Sequence, residues 1–215
     1  MPDTHAQQEP FRVAVFADFV CPYSFLAVEQ LDRLAQEYDV KPLWRPHLLH
    51  PETPVEGCPR TNTEEGKAKR ERLDKWVREM APEIHPRIKF PEKRAYSLFA
   101  FEALEYAADH ELDFAYKTKV YDMMWTEGAD IGDPNTLLLA AERTGLDAEE
   151  LAQALHERTY AQRALDAIEQ ARRIGITNTP TIFLGRTRIN GWHYYEVLQS
   201  VMEKQNAPKR AVVMQ

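Results

Sequence analysis

The chain of 215 residues has 44% hydrophobic and 10% aromatic side chains, which is enough to build a core and argues against disorder. Its 34 acidic and 27 basic residues give a formal net charge of −7, which disfavours nucleic acids and anionic membranes as partners. No apolar run approaches the ~18 residues of a membrane-spanning helix, and residues 1–10 lack the basic and apolar regions of a secretory signal. Two cysteines are too few for a disulfide framework, so we expect a reducing, cytoplasmic location.

The first 50 residues predict a strand, a helix and a second strand. The apolar run at 12–16 is typical of a buried strand, and apolar residues recur at helical spacing after the Cys-Pro-Tyr-Ser segment at 21–24. Residues 40–44 predict a second strand, ended by Pro46. This order is a βαβ unit, which implies a parallel pair of strands.

The middle of the chain predicts a proline-rich loop at 48–60 and then only helices. Thr61 and Glu64 have the spacing of a capping box and predict a charged helix that runs to about Met80. Three further helical segments are predicted at 96–110, at 113–125 and from Asp133-Pro134 to Gly145, followed by 147–174 with a break near Thr159.

The last part of the chain predicts a hairpin at 181–191 and a helix at 194–204. We expect an α/β fold in which all strands form one sheet, because a separate helical domain would leave the strands without an adequate core. The predicted division is a disordered N-terminus at 1–10, a main domain of 11–60 and 170–206, an inserted helical subdomain at 61–169 and a tail at 207–215.

Cys21 is the sharpest chemical feature of the sequence. It lies between a predicted strand and a predicted helix, where unpaired N–H groups and the helix dipole stabilise an anion. Pro22 suits the first helical position, and the Ser24 hydroxyl can stabilise the sulfur anion further. The position predicts a nucleophilic thiolate open to solvent, with a buried structural cysteine as the alternative interpretation.

Thr179 and Pro180, just before the predicted hairpin, complete a recognisable layout. Strand, Cys-Pro-x-Ser, helix, strand, helical insertion, Thr-Pro, hairpin and helix together resemble the thioredoxin fold of the DsbA family, specifically its FrnE-like cytosolic branch. The likeness runs from about Arg12 to Glu203. It is carried by these segments: Asp18–Ser24, Trp44–Pro46 with Pro51 and Gly57, Gly128–Ile131, Ala171–Gly175, Thr179–Phe183 and Asn190–Gly191.

The resemblance implies a site as well as a fold. It implies a cis peptide at Thr179-Pro180 that faces Cys21, so that an extended disulfide substrate pairs with the backbone of Thr179. It implies catalytic roles for Cys21, Ser24 and Pro180 under a cover of inserted helices. Candidate substrate contacts are Pro22, Tyr23, Thr179 and Trp125, with Phe25, Tyr121 and Met124 as further groove candidates; ordinary core is the alternative role for the aromatic residues.

The motif departs from the family at its fourth position, where Ser24 replaces the second cysteine. A serine cannot resolve a mixed disulfide as a thiolate does, so the usual internal disulfide cannot form. Three routes stay open. Glutathione resolves a mixed disulfide on Cys21, Cys58 acts as a distant resolving thiol, or the chain is a glutathione-dependent isomerase or transferase. Kappa-class glutathione transferases and 2-hydroxychromene-2-carboxylate isomerases are similar in fold and carry Ser-Pro-Tyr-Ser at this position.

Other candidate sites carry weaker signals. Asp18, near the end of the first strand, is a possible water-linked base for Cys21 or an ordinary solvated turn residue. His47 and His50 lack a further ligand at recognised spacing, so we expect no metal site.

We therefore expect an enzyme of the DsbA superfamily, with three hypotheses for what the chain does. The first is a monothiol thiol–disulfide oxidoreductase that requires no cofactor, acts on protein disulfides or glutathione mixed disulfides, and uses glutathione as a co-substrate. The second is an isomerase or transferase acting on a small aromatic substrate. The third is a peptide-binding, chaperone-like module without redox turnover.

Overall fold

The computed structural model describes residues 11–60 and 63–210, so the predicted disorder of 1–10 and the end of the tail lie outside the described residues. The strands are β1 (Val13–Ala17), β2 (Leu43–Pro46), β3 (Cys58–Pro59), β4 (Lys93–Arg94), β5 (Thr181–Leu184) and β6 (Thr187–Asn190). The helices are α1 (Pro22–Glu37), α2 (Glu64–Met80), α3 (Leu98–Asp109), α4 (Asp113–Asp122), α5 (Pro134–Thr144), α6 (Ala148–Glu157), α7 (Ala161–Arg173) and α8 (Tyr195–Lys204). A π-helical turn, Met123–Glu127, continues α4, and a short 3-10 turn spans His85–Arg87.

The main sheet has the strand order β2-β1-β5-β6. β1 and β2 are parallel, whereas β5 pairs antiparallel with both β1 and β6. The predicted βαβ unit and hairpin are therefore confirmed, and the strands predicted from the sequence share one sheet. The expectation that all strands form a single sheet is wrong, because β3 and β4 form a second one. Together with the long helical segment between β2 and β5, the βαβ unit and the hairpin form the expected thioredoxin-like α/β fold.

β2 begins three residues later than the strand predicted at 40–44. The backbone just before it pairs elsewhere: Tyr38 forms a bridge with Lys209, and the Asp39 N–H donates to the Pro208 carbonyl at 2.8 Å. The residues just before β2 are therefore hydrogen-bonded to the C-terminal segment and not to β1. A local apolar pattern contains no information about such a distant partner.

The loop predicted at 48–60 contains a strand. Cys58 pairs with Arg94, and Pro59 with Lys93, in a two-stranded antiparallel sheet. Two-residue strands are too short to show a hydrophobic period, so the sequence pattern did not predict the pairing of β3 with β4. Gly57 permits the close approach, because a Cβ there would lie 2.7 Å from the Arg94 carbonyl oxygen, and its φ of +74° is one that glycine adopts without strain.

Most predicted helix ends are confirmed, with one correction. The N-cap of α2 is Thr63, whose hydroxyl accepts from the Gly66 N–H at 3.1 Å, so the predicted cap at Thr61 is wrong; Thr61 itself lies outside the described residues. Asp133 caps α5 by accepting from the Asn135 N–H at 2.9 Å, and Gly145 ends that helix as predicted. The break predicted near Thr159 falls between α6 and α7.

The inserted helices share one hydrophobic core with the end of β1 and with α1. Phe19 packs on Phe101 of α3 at 5.1 Å and on Tyr121 of α4 at 4.8 Å between ring centroids. A smaller cluster joins Ala171 of α7 to Phe16 of β1. The helical insertion is therefore packed directly onto the end of β1 that leads into Cys21. No helix within 11–60 or 63–210 is both long and apolar enough to cross a membrane.

A buried lysine links α4 to α1. Lys117 is 1% exposed, and its Nζ lies 3.5 Å from Asp32 Oδ1 and over the rings of Trp44 and Phe114, at 4.3 and 4.2 Å from their centroids. Burial lowers the pKa of Lys117 to about 8, against the opposing effect of Asp32. The contact therefore joins the helical insertion to the sheet domain through one desolvated charge.

Candidate active site

Cys21 occupies the N-cap position of α1, directly after the turn that follows β1. Its backbone is extended (φ −93°, ψ 117°), and its carbonyl accepts from the Phe25 N–H at 3.1 Å to begin the helix. Pro22 takes the first helical position, where no N–H is needed. The Cys21 N–H donates to the Asp18 carbonyl at 3.1 Å, which holds the turn between strand and helix.

The fold brings Cys21 against the start of β5. The Thr179-Pro180 peptide bond is cis, and the Cys21 Sγ donates to the Thr179 carbonyl oxygen at 3.4 Å. Because β5 pairs with β1, the segment just before β5 meets the turn that follows β1, although 158 positions separate Cys21 from Thr179. Cys21, Thr179 and Pro180 therefore form one site.

The Cys21 sulfur is buried. We had expected a thiolate that is open to solvent. Cys21 is only 2% exposed. Burial raises the pKa of Cys21, and the negative charge of Asp18 acts in the same direction, while the contacts with Thr179 and Ser24 oppose this increase less strongly. The helix N-terminus does favour an anion, but desolvation of the sulfur outweighs it here. In this conformation Cys21 is a resting thiol.

Two hydroxyl groups near this thiol make no hydrogen bond of good geometry in the described part of the chain, although Ser24 lies close enough to Cys21 to lower its pKa. They are the Ser24 Oγ, one turn along α1, and the Thr179 Oγ1, both buried. Buried polar atoms are usually paired, so unpaired ones mark places where a bound group can supply the partner. These hydroxyls are therefore available to a substrate that reaches the sulfur.

Asp18 is buried with its carboxylate held by backbone donors. Its Oδ2 accepts from the Leu49 N–H at 2.8 Å and its Oδ1 from the Val20 N–H at 3.3 Å. Burial raises the pKa of Asp18 to about 6, although these hydrogen bonds lower it. The structure thus excludes the solvated turn residue that was the alternative interpretation.

Replacing Asp18 by asparagine should change the pH dependence of stability. The pKa of Asp18 is about 6 in the folded chain and near its ordinary value of 3.8 in the unfolded chain, so the folded chain binds more protons in between. The free energy of unfolding of the wild type should therefore rise as the pH falls from about 6 to 4, by up to roughly 3 kcal/mol relative to Asp18→Asn. Urea denaturation at pH 4, 5, 6 and 7 measures this difference. Parallel curves for the two proteins would contradict it.

The aromatic residues expected in a groove divide into two groups. Trp125 is fully buried and its indole N–H donates to the Phe19 carbonyl at 2.9 Å, so the structure places it in the core rather than in contact with a substrate. Tyr121 and Met124 are likewise buried, and the Tyr121 hydroxyl donates to the Asp18 carbonyl at 3.2 Å. Tyr23 and Phe25 stay partly exposed.

Trp76 of α2 is a neighbour of the site that sequence reasoning missed. Its ring meets Tyr23 edge-on at 4.8 Å and Trp192 at 5.3 Å between ring centroids. The alternating charges of α2 are typical of a solvated helix, yet Leu73, Trp76 and Val77 follow the i, i+3, i+4 spacing of an inward face. This spacing in the sequence could have indicated that Trp76 faces the interior.

Cys58 and the two histidines lie on the segment that follows β2. Cys58 is a half-buried free thiol whose backbone is held in β3, and it forms no disulfide with Cys21 in this structure. His50 pairs with Glu52 at 3.2 Å. Within the described ranges, no group of three or more His, Cys, Asp and Glu side chains is arranged to hold a metal ion.

The site and fold can be compared with known proteins. A curated relative, the uncharacterized protein YwbO of Bacillus subtilis, is 27% identical over 201 residues and covers 92% of this chain and 98% of its own. A probable DsbA oxidoreductase from Streptomyces coelicolor superposes with a TM-score of 0.76 at 18% identity, over 95% of this chain and 94% of that one.

Two further solved structures have similar folds and named activities. A 2-hydroxychromene-2-carboxylate isomerase superposes with a TM-score of 0.74 at 22% identity, over 90% of this chain and 95% of its own. The cytosolic disulfide reductase DsbM of Pseudomonas aeruginosa, solved with GSH, gives a TM-score of 0.67 at 16% identity, over 91% and 98%. A family model for the DSBA-like thioredoxin domain matches residues 12–203. With that match across nearly its whole length, the chain belongs to the DSBA-like thioredoxin family.

Proposed function

We propose that the chain is a monothiol thiol–disulfide oxidoreductase of the FrnE-like branch, with Cys21 as the nucleophile and glutathione as the resolving thiol. The observation that supports it best is the Cys21 Sγ at the N-terminus of α1, in contact with the Thr179 carbonyl next to Pro180, with Ser24 in place of a second thiol. The fold likeness to DsbM, which was solved with GSH, supports glutathione as the second thiol and a cytoplasmic setting.

The chemistry proceeds in three thiol–disulfide exchanges. The Cys21 thiolate attacks one sulfur of a substrate disulfide, forming a mixed disulfide while the other substrate sulfur leaves as a thiolate. A glutathione thiolate then attacks the Cys21 sulfur of the mixed disulfide, which releases the second substrate thiol and leaves glutathione on Cys21. A second glutathione attacks the glutathione sulfur, and this frees Cys21 and yields glutathione disulfide. The substrate disulfide gains two electrons, and two glutathione molecules lose them.

Activation of Cys21 requires a place for its proton and a way in for the substrate. Asp18 is the candidate base, because its charge acts on Cys21 and burial raises its pKa to about 6. A substrate strand that pairs with Thr179 would displace the thiol from the Thr179 carbonyl. Substrate binding and release of the thiol from its resting hydrogen bond are then the same event.

Mass spectrometry after treatment with glutathione disulfide tests this proposal. The wild type should gain one glutathione on Cys21 and lose it again on addition of reduced glutathione. Ser24→Cys should instead show an internal disulfide between Cys21 and the introduced thiol and little stable adduct, because the restored thiol resolves the mixed disulfide. An unmodified Cys21, or an adduct confined to Cys58, would refute the monothiol route.

A second candidate is a glutathione-dependent isomerase or transferase acting on a small aromatic substrate. It is supported by the similarity in fold to the 2-hydroxychromene-2-carboxylate isomerase and by the unpaired hydroxyls of Ser24 and Thr179 near the thiol. Since such isomerases carry serine in place of Cys21, Cys21→Ser should keep this activity and lose disulfide exchange. An assay of both reactions on that variant separates the two candidates.

A third candidate is a peptide-binding module, which the closed-in thiol supports. The pH dependence of Cys21 alkylation distinguishes it from an enzyme. If the chain is a peptide-binding module, Cys21 should be alkylated slowly, and a disulfide peptide should not change that rate. If it is an oxidoreductase, the same peptide should form a mixed disulfide with Cys21.

A further inference from the structure

A row of aromatic rings leads away from the motif that contains Cys21. Tyr23 contacts Trp76, Trp76 contacts Trp192, and Trp192 contacts Tyr194, with centroids 4.8, 5.3 and 4.9 Å apart. The Trp192 indole N–H donates to the Leu26 carbonyl at 3.3 Å, which fixes the row to α1. Tyr194 is 47% exposed at the far end of the row.

The row ends in a cleft of about 330 Å³ between α1, the end of α2 and the start of α8. Its aromatic wall is made by Trp192, Tyr194 and Tyr195, and three glutamates at its edge are Glu79, Glu83 and Glu196. Glu79 lies 3.9 Å from Lys75, whereas Glu83 and Glu196 form no ion pair with any residue in 11–60 or 63–210. Among the residues that the structure describes, Arg33 is the one basic side chain that lines the cleft.

The cleft has the chemistry of a site for a cationic side chain. The Arg33 guanidinium lies 3.8 Å from the centroid of the Tyr195 ring, so it occupies that ring face and offsets the charge of one of the three glutamates. The rings of Trp192 and Tyr194 remain to attract a cation, and the carboxylates of Glu83 and Glu196 add Coulomb attraction. The overall charge of −7 would draw a basic partner toward the protein from a distance.

From these observations we propose that the cleft binds a lysine or arginine of the protein whose disulfide reacts at Cys21. This inference rests on the proposed function, because it assigns the substrate class of the same site. The three ring contacts place Tyr194 at most about 15 Å from the Tyr23 ring, a distance that an extended peptide spans in roughly four or five residues. We therefore place the basic residue of the preferred substrate within about five positions of its reactive cysteine.

Two peptides test the cleft without any disulfide chemistry. Both carry serine in place of the reactive cysteine; one has two lysines four and five positions away, and the other has two glutamates there. Binding to the Cys21→Ser protein is measured by tryptophan fluorescence or calorimetry at 0.1 M salt. We expect the lysine peptide to bind about tenfold more tightly.

Charge-removal variants locate the effect. Glu83→Gln/Glu196→Gln should weaken binding of the lysine peptide about fivefold, whereas Glu142→Gln/Glu157→Gln, which removes two exposed charges elsewhere, should change it less than about twofold. Equal binding of both peptides, or equal losses in the two double variants, would contradict the proposal that the cleft binds a basic residue. If Cys21 exchanges disulfides but the protein shows no preference for the lysine peptide, only the proposal for the cleft is wrong. If the protein prefers the lysine peptide but Cys21 does not exchange disulfides, only the oxidoreductase proposal is wrong.

Discussion

Cys21→Ser should lose disulfide exchange almost completely, with the rate falling about a thousandfold or more toward that of the uncatalysed reaction. The expected loss is this large because serine cannot form the mixed disulfide, so the first chemical step is removed rather than slowed. The variant should still fold, since the new hydroxyl replaces a thiol that already donates to the Thr179 carbonyl. The measurement is the initial rate of glutathione-coupled reduction of a peptide disulfide.

Cys58→Ser is the matched control, because it removes the other thiol of the chain. We expect it to retain most of the wild-type rate at saturating glutathione. If Cys58 is the resolving thiol, this variant will instead accumulate a mixed disulfide on Cys21 when glutathione is limiting. Retained exchange in Cys21→Ser together with loss in Cys58→Ser would move the nucleophile to Cys58 and end the proposed mechanism.

Lys117→Ala should destabilise the fold by about 3 kcal/mol, because it removes a packed aliphatic stem and leaves a cavity in its place. Lys117→Met keeps most of the stem and should cost much less, about 1 kcal/mol or below. The double change Lys117→Met/Asp32→Leu should be at least as stable as Lys117→Met, since neither charge is then desolvated. Urea denaturation at pH 7 measures all three. An equal loss for Met and Ala would show that the ion pair itself stabilises the fold.

The same lysine predicts a rise in stability with pH, relative to a variant without it. The pKa of Lys117 is about 8 in the folded chain and near 10.5 in the unfolded chain, so the unfolded chain binds more protons between these values. The free energy of unfolding of the wild type should therefore rise relative to Lys117→Met between pH 8 and 10, by up to about 3 kcal/mol. A flat difference across this range would mean that Lys117 keeps its charge.

Local patterns were enough to predict most of the elements and the position of Cys21. The apolar run of β1, the spacing in α1, and the Asp133-Pro134 and Gly145 ends of α5 depend on interactions within a few residues, which the sequence shows directly. The shift of β2 and the pairing of β3 with β4 depend on partners far along the chain, so no local pattern revealed them.

The sequence by itself determined that Cys21 begins α1 and that Ser24 leaves it without a neighbouring thiol. Only the tertiary structure decided that the sulfur is buried against Thr179, that Asp18 is desolvated, that Trp125 is core and that Trp76 lies next to Tyr23. The reason is physical: desolvation depends on every residue packed around a group, and those neighbours come from segments up to 158 positions away.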